Sequence, residues 1–139
     1  MKTKEFPAVL DSLSPIREFV TEEAKEVGLD KKKTYNLALA IDEIAANIIN
    51  YGYLENGIEG VLDFEVQRSN NQLMVFMYDD SEPFDPFQRE KMEEETLQKP
   101  LEDRPIGGLG IFLAVNGVDD VKYDRVDNRN RYTFVVTIN

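Results

Sequence analysis

The pattern of apolar and polar positions predicts two helices in the first third of the chain. In the first helix, apolar residues recur every three or four positions; Ser14-Pro15 supplies an N-cap followed by proline at the first helical position, and Gly28 ends it. Asp30 is the predicted N-cap of the second helix, and Gly52 is its predicted C-cap. The apolar strip of this second helix consists of Leu37, Ile41, Ile44 and Ile48.

Alternation with a period of two predicts the strands. Val61–Arg68 alternates apolar and polar side chains, as a half-buried strand does, and Asn70-Asn71 connects it to the more apolar segment Gln72–Tyr78. These two segments therefore form a predicted antiparallel hairpin, and a second hairpin with a polar turn at 127–130 follows later. The other predicted strands are Lys4–Leu10, which contains an edge-type proline, Val118–Tyr123 and Arg131–Ile138.

The second helix also has polar residues beside its apolar strip. Glu43 and Asn47 are four residues apart, so they project from the same face, and Asn50 extends that face by three residues. A carboxylate and an amide in this arrangement are suited to act as a proton acceptor and a metal ligand. They equally suit an ordinary solvated helix face, and the helix alone leaves both interpretations open.

Two further stretches combine residues that are suited to ligand binding. The buried strand Gln72–Tyr78 leads into Asp79-Asp80-Ser81, a loop start that fits a functional site and also fits an ordinary turn. The glycine-rich stretch Gly107–Gly110 opens an apolar helix predicted at Leu109–Val115. Glycine permits close backbone approach to a ligand, and a helix N-terminus attracts phosphate, although structural glycines explain the stretch as well.

Composition narrows the classes of function. A length of 139 residues fits one domain, 1–139, with 42% hydrophobic and 31% charged residues. The absence of cysteine and histidine excludes disulfides, thiolate metal sites and histidine-dependent catalysis. A net charge of -11 argues against binding to nucleic acid. No apolar run reaches the roughly 18 residues that span a membrane, and no signal peptide is recognisable, so we expect a cytoplasmic protein.

Taken in order, three of these stretches resemble the motifs of the Bergerat-fold ATP-binding superfamily, also called GHKL. Leu39–Tyr53 resembles its N box, Asp79–Pro86 its first glycine box and Gly107–Gly110 its second. More narrowly, the sequences PFDP, IGGLGIFL and VKYDR…NRNRYTF resemble bacterial anti-sigma-factor serine/threonine kinases. The resemblance covers nearly the whole chain. It implies an α/β (α+β) two-layer sandwich, in which helices cover one face of a mixed, mainly antiparallel sheet.

The resemblance also implies a role for each matching residue, with ATP and Mg²⁺ as cofactors. Glu43 is the implied general base toward a serine hydroxyl, Asn47 the implied Mg²⁺ ligand, and Asp79 the implied acceptor for the adenine amino group. Residues 88–103 are the implied lid over the nucleotide. The remaining implied nucleotide-binding residues are Ser81, Gly107, Gly108, Leu109 and Gly110.

The implied function is that of an ATP-dependent serine/threonine protein kinase in a partner-switching system. Its implied substrate is a STAS-type anti-anti-sigma protein, with a sigma factor as a second partner and a homodimer as the assembly. Ser81 stands where relatives usually have glycine, Tyr51 where they often have histidine, and Lys99 and Arg104 are the few basic residues near the lid. These departures favour an alternative, a nucleotide-gated protein-binding module without turnover. A protein without nucleotide, or a separated histidine-kinase catalytic domain, is a more distant possibility.

Overall fold

The computed structural model describes residues 2–86, 94–95, 97–98 and 115–138. In this part of the chain, helices α1 (Leu13–Glu26) and α2 (Lys31–Asn47) pack against each other and against a five-stranded sheet. The apolar faces of both helices and of the sheet form one hydrophobic core. The predicted strip of α2 lies in it: Leu37, Ile41, Ile44 and Ile48 are all buried. None of the described helices is long and apolar enough to cross a membrane.

The sheet confirms the predicted architecture of helices on a mainly antiparallel sheet. Its order is β1-β2-β3-β5-β4, and each of its four pairings is antiparallel. The first strand lies at one edge, as its proline requires. The predicted hairpin of β2 and β3 is confirmed to within one residue. The strands are β1 (Lys2–Pro7), β2 (Val61–Arg68), β3 (Gln72–Asp79), β4 (Asp120–Val126) and β5 (Arg129–Thr137).

The closing hairpin is present, but the predicted four-residue turn at 127–130 is wrong. The turn has two residues, Asp127 and Asn128, whose φ angles are 54° and 65°. Two successive positive φ angles are typical of a type I′ turn, which matches the twist of its flanking strands. Arg129 and Asn130 consequently belong to β5, and the register places Asn130 directly opposite Asp79 of β3. The shorter turn thus extends β5 to Asn130, and the pairing of β5 with β3 places this residue beside Asp79, where a site was predicted.

The start of α1 also differs from the prediction. A 3₁₀ turn at Leu10–Ser12 leads directly into the helix, which begins at Leu13, ahead of the predicted Ser14 cap. Ser12 does not cap the helix, because its hydroxyl donates to the carbonyl of Pro7 at 2.7 Å. The predicted end is confirmed. Gly28 follows the last turn with a φ of 76°, where a residue without Cβ is favoured.

The second helix begins as predicted and ends differently. Asp30 caps it by accepting a hydrogen bond from the Lys33 amide at 2.8 Å. At Ile48 the helix widens into a π-helix that continues to Leu54, so Gly52 lies inside a helical segment and does not end one. π-Helical turns are rare and occur often at functional sites.

Candidate functional site

The α2 side of the site consists of Glu43 and Asn47, which are both half-buried. The Asn47 side-chain amide donates to the backbone carbonyl of Glu43 at 2.7 Å. This bond uses the nitrogen of the amide and fixes its orientation, so the carbonyl oxygen Oδ1 is the atom that Asn47 can offer to a cation. Mg²⁺ prefers oxygen ligands of this kind, completed by waters and substrate phosphates, and the residue therefore fits the predicted metal.

Asp79 lies at the end of β3 and is completely buried. Its Oδ1 accepts hydrogen bonds from the backbone amide of Ser81 at 2.7 Å and from the Ser81 hydroxyl. The Tyr53 hydroxyl at 3.4 Å and the Asn130 amide at 3.3 Å complete the donors to this oxygen. Among the described residues, Oδ2 accepts from Asn130 alone, at 3.3 Å. Oδ2 therefore has fewer hydrogen-bond donors than Oδ1 in the described part of the chain.

Tyr53 connects the π-helix to this carboxylate. Its hydroxyl accepts a hydrogen bond from the Asp80 amide at 3.0 Å, in addition to its contact with Asp79. Burial, together with the negative charge of Asp79, raises the pKa of Tyr53 to about 12, so the hydroxyl remains a proton donor at neutral pH. Room for the ring depends on Gly60, because a Cβ there would lie 2.4 Å from the Tyr53 ring.

Two predicted site residues from different parts of the chain line one small cavity. Asn47 of α2 and Ser81 of the loop after β3 face a cavity of about 90 Å³, together with Tyr51, Gly52 and Phe84. Ligand pockets commonly measure about 300–1,000 Å³, so this cavity by itself is too small to hold a nucleotide. The predicted phosphate-binding residues, Gly107, Gly108, Leu109 and Gly110, lie outside the described residues, as does most of the predicted lid at 88–103.

The loop that follows Asp79 is held by side chains that sequence reasoning did not single out. Asn130 donates to the carbonyls of Ser81 at 3.2 Å and Glu82 at 3.0 Å, and Arg125 donates to the carbonyl of Ser81 at 3.3 Å. The Tyr132 hydroxyl donates to the carbonyl of Phe84 at 2.9 Å. Recognising Asp127-Asn128 as a two-residue turn would have placed Asn130 inside β5, opposite Arg125 of β4. No sequence signal identified its pairing with Asp79 or the other contacts.

Metal binding by a group of acidic side chains is not indicated in the described part of the chain. No cluster of three or more Asp or Glu residues there is arranged to hold a metal ion. The predicted metal ligand, Asn47, lies among the described residues and can offer one oxygen atom to a cation.

Comparison with known proteins agrees with this arrangement. A family model described as the histidine kinase-like ATPase domain matches residues 6–136. The chain belongs to this family. Membership confirms the resemblance drawn from the three motifs, and an ATPase domain of this kind implies ATP binding.

Among curated relatives of this ATPase domain are proteins named serine-protein kinase RsbW. The one from Halalkalibacterium halodurans is 28% identical over 116 residues, which cover 84% of this chain and 70% of that protein. The one from Bacillus thuringiensis is 27% identical, with 84% and 72% covered. A solved structure of the RsbU and RsbW domains of Rv1364c from Mycobacterium tuberculosis has a TM-score of 0.59 at 14% identity. It covers 98% of this chain and 32% of that one, and the likeness is one of fold.

Proposed function

We propose that this ATPase domain is an ATP-dependent serine/threonine protein kinase that regulates a sigma factor by partner switching. The observation that carries the proposal is the shared cavity of Asn47 and Ser81, which lies beside the buried carboxylate of Asp79. The proposed Mg²⁺ ligand and the proposed hydrogen-bond acceptor for the adenine base thus lie near each other, in a chain that matches an ATPase-domain family. The relatives named serine-protein kinase RsbW support the reaction type.

In the proposed reaction, each described residue has one task. Asp79 accepts a hydrogen bond from the adenine 6-amino group through Oδ2, and the Asn47 carbonyl binds Mg²⁺ that also contacts the phosphates. Glu43 accepts the proton of the substrate serine while the γ-phosphoryl group moves from ATP to the serine oxygen, and ADP leaves. Phosphoryl transfer depends mainly on positioning and charge neutralisation, so a carboxylate base and Mg²⁺ are sufficient. Gly107, Gly108, Leu109 and Gly110 are the proposed backbone donors to the phosphates.

The proposed phospho-acceptor is a serine of a small STAS-type anti-anti-sigma protein, with the sigma factor as the competing partner. One surface of the described residues suits an acidic partner of this size. A groove of about 510 Å³ between α1 and α2 has an apolar floor that includes Leu39 and a rim that includes Arg17, Lys25 and Lys31. Asp42 also lines the groove and pairs with Arg17 at 2.7 Å, so the excess positive charge of the rim comes from Lys25 and Lys31. We propose a homodimer as the assembly.

A transfer assay tests the proposed reaction. Purified protein is incubated with γ-³²P-ATP, Mg²⁺ and a panel of STAS-domain proteins from the same organism, and label on the STAS protein is measured. Glu43→Gln should abolish transfer while ATP affinity is retained, because the amide keeps the shape but cannot take the proton. Glu22→Gln, an exposed change on α1, is the matched control and should leave transfer intact.

The alternative function, nucleotide-gated protein binding without turnover, predicts a different result in the same assay. The wild-type protein would then bind ATP and a partner but transfer no label to any member of the panel. Its supporting observation is Ser81, whose hydroxyl occupies Oδ1 of Asp79 in a position where glycine is usual. Measurable transfer that Glu43→Gln abolishes would exclude this alternative.

A further inference from the structure

One buried side chain contacts both the carboxylate of the candidate site and the loop beside it. Asn130 of β5 is completely buried and pairs in register with Asp79. Its Nδ2 lies 3.3 Å from both oxygens of the Asp79 carboxylate and donates to the carbonyls of Ser81 and Glu82 at 3.2 and 3.0 Å. A single amide group therefore joins the carboxylate to the backbone that follows it.

The orientation of this amide is determined by two donors on β4. The Asn130 carbonyl oxygen accepts from the Tyr123 hydroxyl at 2.7 Å and from the Arg125 guanidinium at 3.1 Å. A hydroxyl that donates and a guanidinium both require an acceptor at this position, whereas the carboxylate and the two carbonyls on the other side require a donor. With oxygen and nitrogen exchanged, the amide would place donors against Arg125 and an acceptor against the carboxylate and the two carbonyls, and only the Tyr123 hydroxyl could adapt, since it can also accept.

We propose that Asn130 is a positioning residue for nucleobase recognition: it orients Asp79 so that Oδ2 accepts the adenine 6-amino group. The inference rests on the proposed function, since it assumes that the nucleotide base meets Asp79. Ser81 and Tyr53 engage Oδ1, and Asn130 holds the plane of the carboxylate by contacting both oxygens. The same amide donates to the Ser81 and Glu82 carbonyls, so it fixes the position of the loop after β3 relative to the Asp79 carboxylate.

Only an amide of this length meets all these requirements. Aspartate has the same shape but no N–H donor, and it would place a second carboxylate beside Asp79. Leucine would leave Oδ2 of Asp79 without a donor among the described residues and would remove one donor from each of the two carbonyls, and buried acceptors are costly to leave unpaired. The residue therefore acts on the chemistry of the site through the direction of its hydrogen bonds, in addition to filling space.

The test compares two nucleotides that differ at position 6 of the base, the group that Asp79 is proposed to bind. ATP carries a 6-amino donor, and inosine 5′-triphosphate carries a carbonyl acceptor at the same position. Binding of each nucleotide to the full chain with Mg²⁺ is measured by calorimetry. We expect the wild type to prefer ATP by about tenfold or more, and Asn130→Asp to reduce that ratio to near one, since one hydrogen bond to a charged group corresponds to about that factor.

The matched control is Asn128→Asp in the turn of the same hairpin. It makes the same chemical change and adds the same charge at an exposed residue, and aspartate tolerates the positive φ of that position. The control should keep the wild-type ratio. A change of ratio in both variants would show a general charge effect and would overturn the proposal.

A second variant keeps the proposal testable if Asn130→Asp does not fold. Tyr123→Phe removes the donor that orients the Asn130 carbonyl and should lower the ratio by a smaller factor, with Tyr35→Phe as an exposed control. A purely structural role for Asn130 would lower the affinity for both nucleotides equally and leave the ratio intact, which contradicts the proposal. Wild-type protein that binds neither nucleotide would overturn the proposed function itself. Wild-type preference for ATP that survives in both variants would overturn this inference alone.

Discussion

Gly52 and Ser81 pack so closely that a side-chain carbon at position 52 would lie 2.8 Å from both Cβ and Oγ of Ser81. Separations under 3.0 Å are essentially never found for real Cβ atoms. The side chain of Ser81 therefore has room because residue 52, on the π-helix, is a glycine. These two residues line the same cavity as Asn47, so their packing also sets the shape of the candidate site.

Gly52→Ala should lower the free energy of unfolding by about 1–3 kcal/mol, the usual cost of overpacking a well-packed site. In a Ser81→Gly background the same change should be neutral or stabilising, because the clash is removed and alanine is the better helix former by about 1 kcal/mol. Urea denaturation of the four proteins in this double-mutant cycle measures the difference. Equal effects of Gly52→Ala in both backgrounds would show that the two residues are not in contact.

Tyr53→Phe should lower the free energy of unfolding by about 1–3 kcal/mol at pH 7, because the Asp80 amide loses its acceptor. The exposed change Tyr35→Phe, measured by the same denaturation curves, should cost almost nothing.

The pH dependence of the free energy of unfolding should differ between the wild type and Tyr53→Phe. The folded pKa of Tyr53 is raised to about 12, above the value of about 10 in an unfolded chain. A raised pKa means that the folded state holds the proton more tightly, so this contribution is complete below pH 10 and is lost as the pH rises toward 12. Burial also raises the pKa of Tyr132, which adds to the alkaline loss in both proteins. Wild type should therefore lose more stability than Tyr53→Phe between pH 10 and 12, and parallel curves would contradict this.

The first strand is tied to α1 by an ion pair with a buried acidic partner. Glu23 is 1% exposed, and its Oε2 accepts from Lys2 Nζ at 2.9 Å, while Oε1 has no hydrogen-bond partner among the described residues. Lys2→Gln removes the nearer of the two cations beside this carboxylate, the other being Arg68 at 3.7 Å from Oε1, so it should lower the melting temperature. Lys4→Gln, on the same strand, should lower it less. A larger effect at Lys4 would show that the Glu23 contact contributes little.

The sequence predicted the elements whose signals are local. Period-two alternation located Val61–Arg68 with its observed bounds, and the Asp30 cap formed because an aspartate side chain reaches a backbone amide three residues ahead. The end of α2 could not be predicted in this way. Gly52 is the residue type that commonly follows a helix C-terminus. Here, however, its lack of a side chain allows close packing against Ser81, and the helix continues past it as a π-helix.

The candidate site was only partly visible in the sequence for a related reason. Asn47 and Asp79 belong to recognisable motifs, whereas Asn130 owes its place opposite Asp79 to the long-range pairing of β5 with β3, and the two-residue turn only lets β5 begin early enough to include it. The run Asp127–Asn130 contains four turn-forming residues, and composition does not tell which two of them have positive φ. Contacts made by Tyr53 and Arg125 depend on packing between distant elements, which local patterns do not encode.

The proposed function requires that this site binds ATP through Asn47 and Mg²⁺. Calorimetry of ATP binding, with and without Mg²⁺, on wild type, Asn47→Ala and the exposed control Asn50→Ala tests it most directly. We expect Mg²⁺-dependent binding by wild type and Asn50→Ala, and a loss of about tenfold or more in affinity for Asn47→Ala, the equivalent of about 1.4 kcal/mol. Absence of ATP binding by the wild type, or equal Mg²⁺-dependent affinity in all three proteins, would contradict the proposed function.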